Sequence, residues 1–364
     1  MRVGIDGHMV GGQETGNETY VKGLVEGFRE IGAPDLVVYH VGAPWANGSD
    51  HIRFERLTTP NPVVRLGAEL PIRSAREHIE VLHMTYAAPI WSAPRLVVTV
   101  HDICYATNPE WFSRRDLYVL SATVPRSIRL AAHVITVSED ARRRIIERYH
   151  VAEGRITAIH NGPGGGAMAI TMEQAAAELG SLGLDPGRPY ILTVGNVQPR
   201  KNLDRLIAAF QALTHSPGPQ VDLVVVGPKR YQADAIVEAA APLAGRVHFT
   251  GYVTDRQLAA CYRQSSLFVL PSLYEGFGLP VIEAMAQGVP IACSNTGALP
   301  EVAGDAAVLF DPLSIEAMTD AMHRVLSDQT LSRRLADAGK ARAGSFSWRR
   351  SAEQTLQVYR QAIA

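Results

Sequence analysis

Cysteine is scarce in this chain: three residues in 364, Cys104, Cys261 and Cys293, scattered with no paired spacing. That argues against a disulfide framework or a cysteine metal site and suits a reducing cytosol. An excess of charge of either sign is also missing, with 35 Lys and Arg against 36 Asp and Glu. A formal net charge of -1 exerts no global pull on nucleic acid, so none is expected as a partner. No apolar run approaches the roughly twenty residues of a spanning helix. The chain enters a strand directly at Met1-Arg-Val-Gly-Ile-Asp, so a cytoplasmic protein is expected, at most peripheral at the inner membrane face. No Asp-x-Asp pair occurs either, and no metal or other cofactor is expected.

What is present is alternation. Short apolar runs (2–6, 36–41, 96–100, 133–137, 190–194, 221–227, 267–270 and 290–293) are spaced by amphipathic helical stretches. That pattern means parallel sheets of βαβ units, an α/β chain, and 364 residues suffice for two such domains. The alternation weakens between Gly162 and Pro189. Boundaries are therefore expected at 1–165, with a linker at 166–187 and a second domain at 188–347. An amphipathic helix follows at 348–364.

The chain is organised around residues 266–288, which read as a strand, a glycine turn and a helix. Leu267 to Leu270 is too short for a helix and is bounded by Pro271, so it is a buried parallel strand. Pro280 suits the first helical positions and Gly288 the far cap. Gly276 and Gly278 let backbone approach a ligand, and the open helix start favours an anion, most simply a phosphate. Two carboxylates flank that pocket, Glu275 and Glu283. Carboxylates accept hydrogen bonds and cannot donate them, so the neighbours should be hydroxyl-rich: a ribose on one side, a hexose on the other. The implied ligand is a nucleotide sugar. Taken alone, Glu283 would pass for a first-turn Glu favouring its own helix dipole.

Other segments point the same way. The first strand leads into a loop holding Gly11 and Gly12, at the sheet edge where such folds bind ligands. The strand Leu96-Val-Val-Thr-Val ends in His101-Asp102. In Val194-Gly195-Asn196-Val-Gln-Pro-Arg200-Lys201-Asn, two cations stand at a helix entrance, where Arg through paired donors and Lys as a point charge could neutralise a diphosphate. Arg114, Arg115, Arg126 and Arg129, with Arg142 to Arg144 on a later helix, leave a peripheral membrane contact open.

Glu275-Gly-Phe-Gly-Leu-Pro-x-x-Glu283-Ala-Met-Ala resembles the signature of glycosyltransferase family 4, the retaining GT-B enzymes, and the Pro-Arg-Lys-Asn segment is similar too. The resemblance implies two Rossmann-like parallel-sheet domains facing a central cleft, with the last helix crossing back onto the first domain. It implies that Glu275 contacts sugar hydroxyls, Glu283 the ribose, and the amides of Phe277, Gly278 and Leu279 the sugar or diphosphate. The backbone near Val253 would meet the nucleobase, His101 would lie near the transferred sugar, and the Gly11–Gly12 loop would face diphosphate and acceptor. Departures exist: Glu18 and Thr19 replace a glycine and an arginine, and Asn196 stands where some relatives carry Arg.

The expected activity is retaining, metal-independent transfer of a hexose, with GDP-mannose ahead of UDP-hexoses, to a glycan or lipid-linked acceptor. Arg200, Lys201, Glu275, His101 and Asp102 form the expected catalytic set. Glu283, Gly276, Phe277, Gly278, Leu279, Val253, Gly195, Asn196, Gly11 and Gly12 form the donor-binding set. A nucleotide-sugar epimerase and a catalytically silent partner subunit are the rival readings, and a homo-oligomer is left open.

Overall fold

The apolar runs form parallel strands because Val, Ile and Leu fit a sheet covered on both faces. A computed structural model describes residues 1–11, 15–215, 220–231 and 233–364. Contacts divide the chain into two units, Met1–Gly162 with Ser347–Ala364, and Pro163–Phe346.

Among the described residues, the first unit has seven strands: β1 (Arg2–Asp6), β2 (Asp35–His40), β3 (Ile52–Arg56), β4 (Val81–Thr85), β5 (Arg95–Thr99), β6 (His133–Thr136) and β7 (Ile156–Ala158). They are ordered β3-β2-β1-β4-β5-β6-β7, with every pairing parallel. The second unit has β8 (Tyr190–Val194), β9 (Asp222–Val226), β10 (Val247–Gly251), β11 (Leu267–Leu270), β12 (Ile291–Ser294) and β13 (Ala307–Phe310), ordered β10-β9-β8-β11-β12-β13 and again parallel. In each sheet the strand order reverses beside the unit's first strand, β1 or β8. The loops leaving their carboxyl ends therefore sit at the switch point where α/β sheets bind ligands.

The Trp348–Ile363 helix belongs to the first unit, where it packs on the Thr15–Ile31 helix. Gly23 and Gly27 allow that approach. A Cβ on Gly23 would stand 2.0 Å from Trp348 Cε2, and one on Gly27 2.2 Å from the Trp348 carbonyl oxygen. Ser351 Oγ donates to the His160 carbonyl, and Tyr359, fully buried, meets His83 Nδ1 at 2.6 Å.

Residues 166–187, read from composition as a linker, lie inside the second unit. The Met172–Ser181 helix is closed by a capping box between Thr171 and Gln174, and it buries Ala175 and Leu179. Gln287 Nε2 donates to the carbonyls of Gly166 and Met168, tying this segment to the Leu279–Gln287 helix. The basic stretch also differs from a free cationic face. Arg126, on the Arg114–Leu130 helix, donates to the carbonyls of Ala88, Pro89 and Ile90, while Arg143 and Arg144 pair with Asp140. No helix among the described residues is long and apolar enough to cross a membrane.

Candidate active site

The site is built where β8 and β11 end. After Leu270 the chain cannot continue the ladder through Pro271, and three hydrogen bonds shape its exit. Asn202 Nδ2 donates to the carbonyls of Pro271 (3.0 Å) and Pro312 (2.7 Å), and the Leu273 amide donates to the Arg200 carbonyl (2.9 Å). Asn202 is fully buried with φ +56°, a left-handed conformation that Asn tolerates better than most residues. It closes the 3₁₀ turn Pro199–Lys201 before the Leu203–His215 helix begins. The sequence puts Asn202 at the helix start; its role is to fasten the Arg200–Lys201 turn to the Pro271 strand exit.

That fastening brings Arg200 and Lys201 onto Glu275. Arg200 Nη1 reaches Glu275 Oε2 at 2.9 Å and Lys201 Nζ reaches Oε1 at 2.5 Å, while Ser272 Oγ donates to Oε1 at 2.6 Å. Burial alone would raise the carboxyl, but the charges of Lys201 and Arg200 and the bonds from Lys201 and Ser272 outweigh it and hold Glu275 at about 2. Two cations thus share one carboxylate. The Lys201 stem lies over Gly195, where a Cβ would stand 2.7 Å from Lys201 Cε. Beside it, Asn196 Oδ1 is buried with no hydrogen-bond partner among the described residues.

The turn itself is held from behind: the Ala298 amide donates to the Glu275 carbonyl at 3.0 Å. Gly278 has φ +118° and is the N-cap of the Leu279–Gln287 helix, whose start carries no side-chain cap and has Pro280 in its first turn. A helix start of this kind presents amide dipoles to an anion. Phe277 contributes its backbone to the turn, since its ring is buried against Phe346 with centroids 5.9 Å apart. Val253 is buried just before Thr254, the cap of the Asp255–Gln264 helix.

Glu283 is held by its own neighbours. It is buried, Oε2 accepts from Tyr262 Oη at 3.0 Å, and the Gly166 backbone bonds to it as well. Burial raises it to about 7, against the lowering effect of those bonds. Sequence reasoning missed Tyr262 and Ser272, which bond to these carboxylates, and Gln287, which holds the Gly166–Met168 segment beside them. Each looks like an ordinary residue of its helix or strand end, and only the fold reveals its partner.

In the first unit, His101 and Asp102 follow β5. Asp102 Oδ1 accepts from the Cys104 amide, starting the short Cys104–Thr107 helix, and His101 Nδ1 lies 2.8 Å from Asn17 Oδ1. Gly11 is exposed with φ +90° and open space around its Cβ position. Gly12 lies outside the described residues. Among the described residues no three His, Cys, Asp or Glu side chains gather as a metal ion would need.

Comparison with known proteins agrees with this architecture. The model of Glycosyltransferase Family 4 matches residues 14–162, and that of Glycosyl transferases group 1 matches residues 176–342. The O-antigen chain mannosyltransferase B of Escherichia coli is 31% identical over 268 residues, 73% of this chain and 70% of that protein. The chain belongs to glycosyltransferase family 4. A D-inositol 3-phosphate glycosyltransferase of Nocardia farcinica is 33% identical over 354 residues, 91% of this chain and 77% of that protein. The solved sucrose-phosphate synthase of Thermosynechococcus elongatus superposes with a TM-score of 0.78 at 22% identity, covering 99% of this chain and 98% of its own. This family 4 glycosyltransferase thus has the GT-B fold class, with two Rossmann-like parallel-sheet domains.

Proposed function

We propose that this glycosyltransferase moves a hexose, mannose first among candidates, from a nucleotide diphosphate sugar to a glycan or lipid-linked acceptor, with retention and without a divalent metal. The observation that carries the reading is the Arg200–Glu275–Lys201 cluster, two cations held on one buried carboxylate, in the same loop region as an uncapped helix start. Breaking an anomeric bond to a diphosphate builds negative charge on the leaving phosphate while the sugar gains oxocarbenium character. Preorganised cations and amides aimed at that phosphate lower the barrier, each strong donor contributing roughly 3 kcal/mol. Arg200, Lys201 and the amides of Phe277, Gly278 and Leu279 fill that role in this reading. Glu275 then exchanges part of its hold on the two cations for sugar hydroxyls, and Glu283 takes the ribose. Mannose is favoured by the Escherichia coli relative, which is a mannosyltransferase.

The test is to incubate the chain with GDP-mannose or UDP-glucose and a panel of glycan acceptors in EDTA, and to read the anomeric configuration of the product by NMR. The reading expects α-linked product from an α-linked donor at undiminished rate. An inverted product, or activity lost in EDTA and restored by magnesium, overturns it.

A further inference from the structure

Arg65 opens the five-residue π-helical segment Arg65–Glu69, in which the Leu70 amide donates to the Arg65 carbonyl. Single wide turns of this kind often mark functional sites. The segment is tied to loops that leave the carboxyl ends of the first sheet. The Ile90 amide, beyond β4, donates to the Leu66 carbonyl at 2.9 Å, and Glu69 Oε1 accepts from the Thr58 amide, just past β3, at 2.6 Å. Arg65 is only 5% exposed, and its Nε is buried with no hydrogen-bond partner among the described residues.

Two carboxylates are placed to answer that charge, and both are turned to other use. Asp6, at the end of β1, is spent on His8: Oδ1 accepts from the His8 amide at 3.2 Å, and Oδ2 meets the ring Nδ1 at 2.9 Å. Burial works to raise the Asp6 carboxyl, yet His8 and, after it, Arg65 hold it below its ordinary value, so the guanidinium is near enough for its charge to act there. Glu69 stands four residues after Arg65, on the same face of the segment. Its Oε2 is also buried with no partner among the described residues. One segment thus leaves a donor and an acceptor unmet, and they do not meet each other. Arginine, unlike lysine or histidine, cannot escape burial by losing its proton. A buried guanidinium without a partner is therefore strongly unfavourable until an anion reaches it.

We propose that Arg65 and Glu69 form a subsite of the first unit for a phosphorylated sugar or polyol, Arg65 donating to the phosphate oxygens and Glu69 Oε2 accepting from a neighbouring hydroxyl. A guanidinium matches phosphate through parallel N–H donors, and a hydroxyl beside the phosphate meets the acceptor that a bare anion would leave unmet. Every residue invoked belongs to the first unit. The ligand is the acceptor in the sugar-transfer reading above, on which that assignment rests, and the acceptor then carries a phosphate. A free sugar phosphate and a lipid headgroup share this chemistry.

The experiment titrates mannose 6-phosphate, mannose, inorganic phosphate and vesicles of phosphatidylglycerol in phosphatidylcholine into the full chain by calorimetry. Either mannose 6-phosphate or the phosphatidylglycerol vesicles should bind wild type, the first marking a free sugar phosphate and the second alone a lipid headgroup. Mannose and pure phosphatidylcholine vesicles should bind at least tenfold more weakly. Arg65→Met should weaken the bound phosphate tenfold or more, and in Glu69→Gln that ligand should lose more affinity than inorganic phosphate does. Without ligand, Arg65→Met should melt no lower than wild type, because an apolar side chain replaces an unpaired buried charge; with ligand, wild type should gain melting temperature and the variant should not. A lower melting temperature in ligand-free Arg65→Met would mark an arginine that holds the fold and overturns the proposal. So does affinity unchanged in Arg65→Met, equal loss for both ligands in Glu69→Gln, or a wild type that binds neither phosphate. The titration needs no donor, so failure of the wild type to turn over any nucleotide sugar would count against the sugar-transfer reading alone.

Discussion

Replacing Glu275 by Gln removes the one negative charge between Arg200 and Lys201 while keeping the shape of the side chain. The carboxyl is lowered from 4.5 to about 2 in the folded protein. At about 1.4 kcal/mol per unit, that corresponds to stabilisation on the order of 3 kcal/mol at pH 7. Mutational experience with broken buried ion pairs gives a similar figure, about 3–5 kcal/mol. Because the folded value is depressed, the stabilisation is complete above the unfolded value and is lost as pH falls toward the folded one. The gap between wild type and Glu275→Gln should therefore be on the order of 3 kcal/mol at pH 7 and shrink to about half that or less by pH 3. Urea unfolding at the two pH values measures it. A second readout separates stability from function: with the competing carboxylate gone, Glu275→Gln should bind inorganic pyrophosphate more tightly than wild type while transferring sugar more slowly. A gap that is absent at pH 7, or that stays constant down to pH 3, would mean that the two cations do not depress the Glu275 carboxyl.

Glu283 predicts the opposite slope. Its raised value favours the protonated folded state, so stability is fullest below 4.5 and is lost as pH rises through about 7; Glu283→Gln should unfold at higher urea than wild type at pH 8 and at nearly the same urea at pH 4.5. Asn202→Ala gives up two buried hydrogen bonds and places a less tolerant residue at φ +56°, which should cost about 2–4 kcal/mol; an unchanged urea midpoint would show that the Arg200–Lys201 turn is held some other way. Gly23→Ala forces a methyl against the Trp348 ring and should destabilise the first unit by about 1–3 kcal/mol, visible as an earlier tryptophan-fluorescence transition; a wild-type midpoint would mean that the last helix shifts at no cost.

Much of this fold is written in local pattern. β8 and β11 occur at the residues where apolar runs stand, and the Leu279–Gln287 helix begins and ends where Pro280 and Gly288 direct. The segments that escaped such reading share a physical cause. β3, Ile-Arg-Phe-Glu-Arg, is a polar edge strand, and β4 carries His83 in its centre, made tolerable only by Thr99 and by Tyr359, 276 residues away in sequence. Residues 166–187 look like a linker because glycine and proline dominate their ends, yet Gln287 and the groove beside Tyr262 and Glu283 fix them. Within the candidate site, residue types and spacing together with the family resemblance singled out Glu275, Arg200 and Lys201. Their mutual ion pairing, and the enclosure of Glu283, depend on loop contacts that no spacing encodes. Asn17 escaped because its loop was read for its glycines, and its partner lies 84 residues away.

In the proposed function a diphosphate is received by the positive charge of Arg200 and Lys201. Calorimetric titration of GDP-mannose and UDP-glucose into wild type and Lys201→Ala tests it most directly. At least one of the two should bind wild type and be weakened tenfold or more in the variant, the second unit remaining folded by its melting transition. Equal affinity in the two proteins would contradict it.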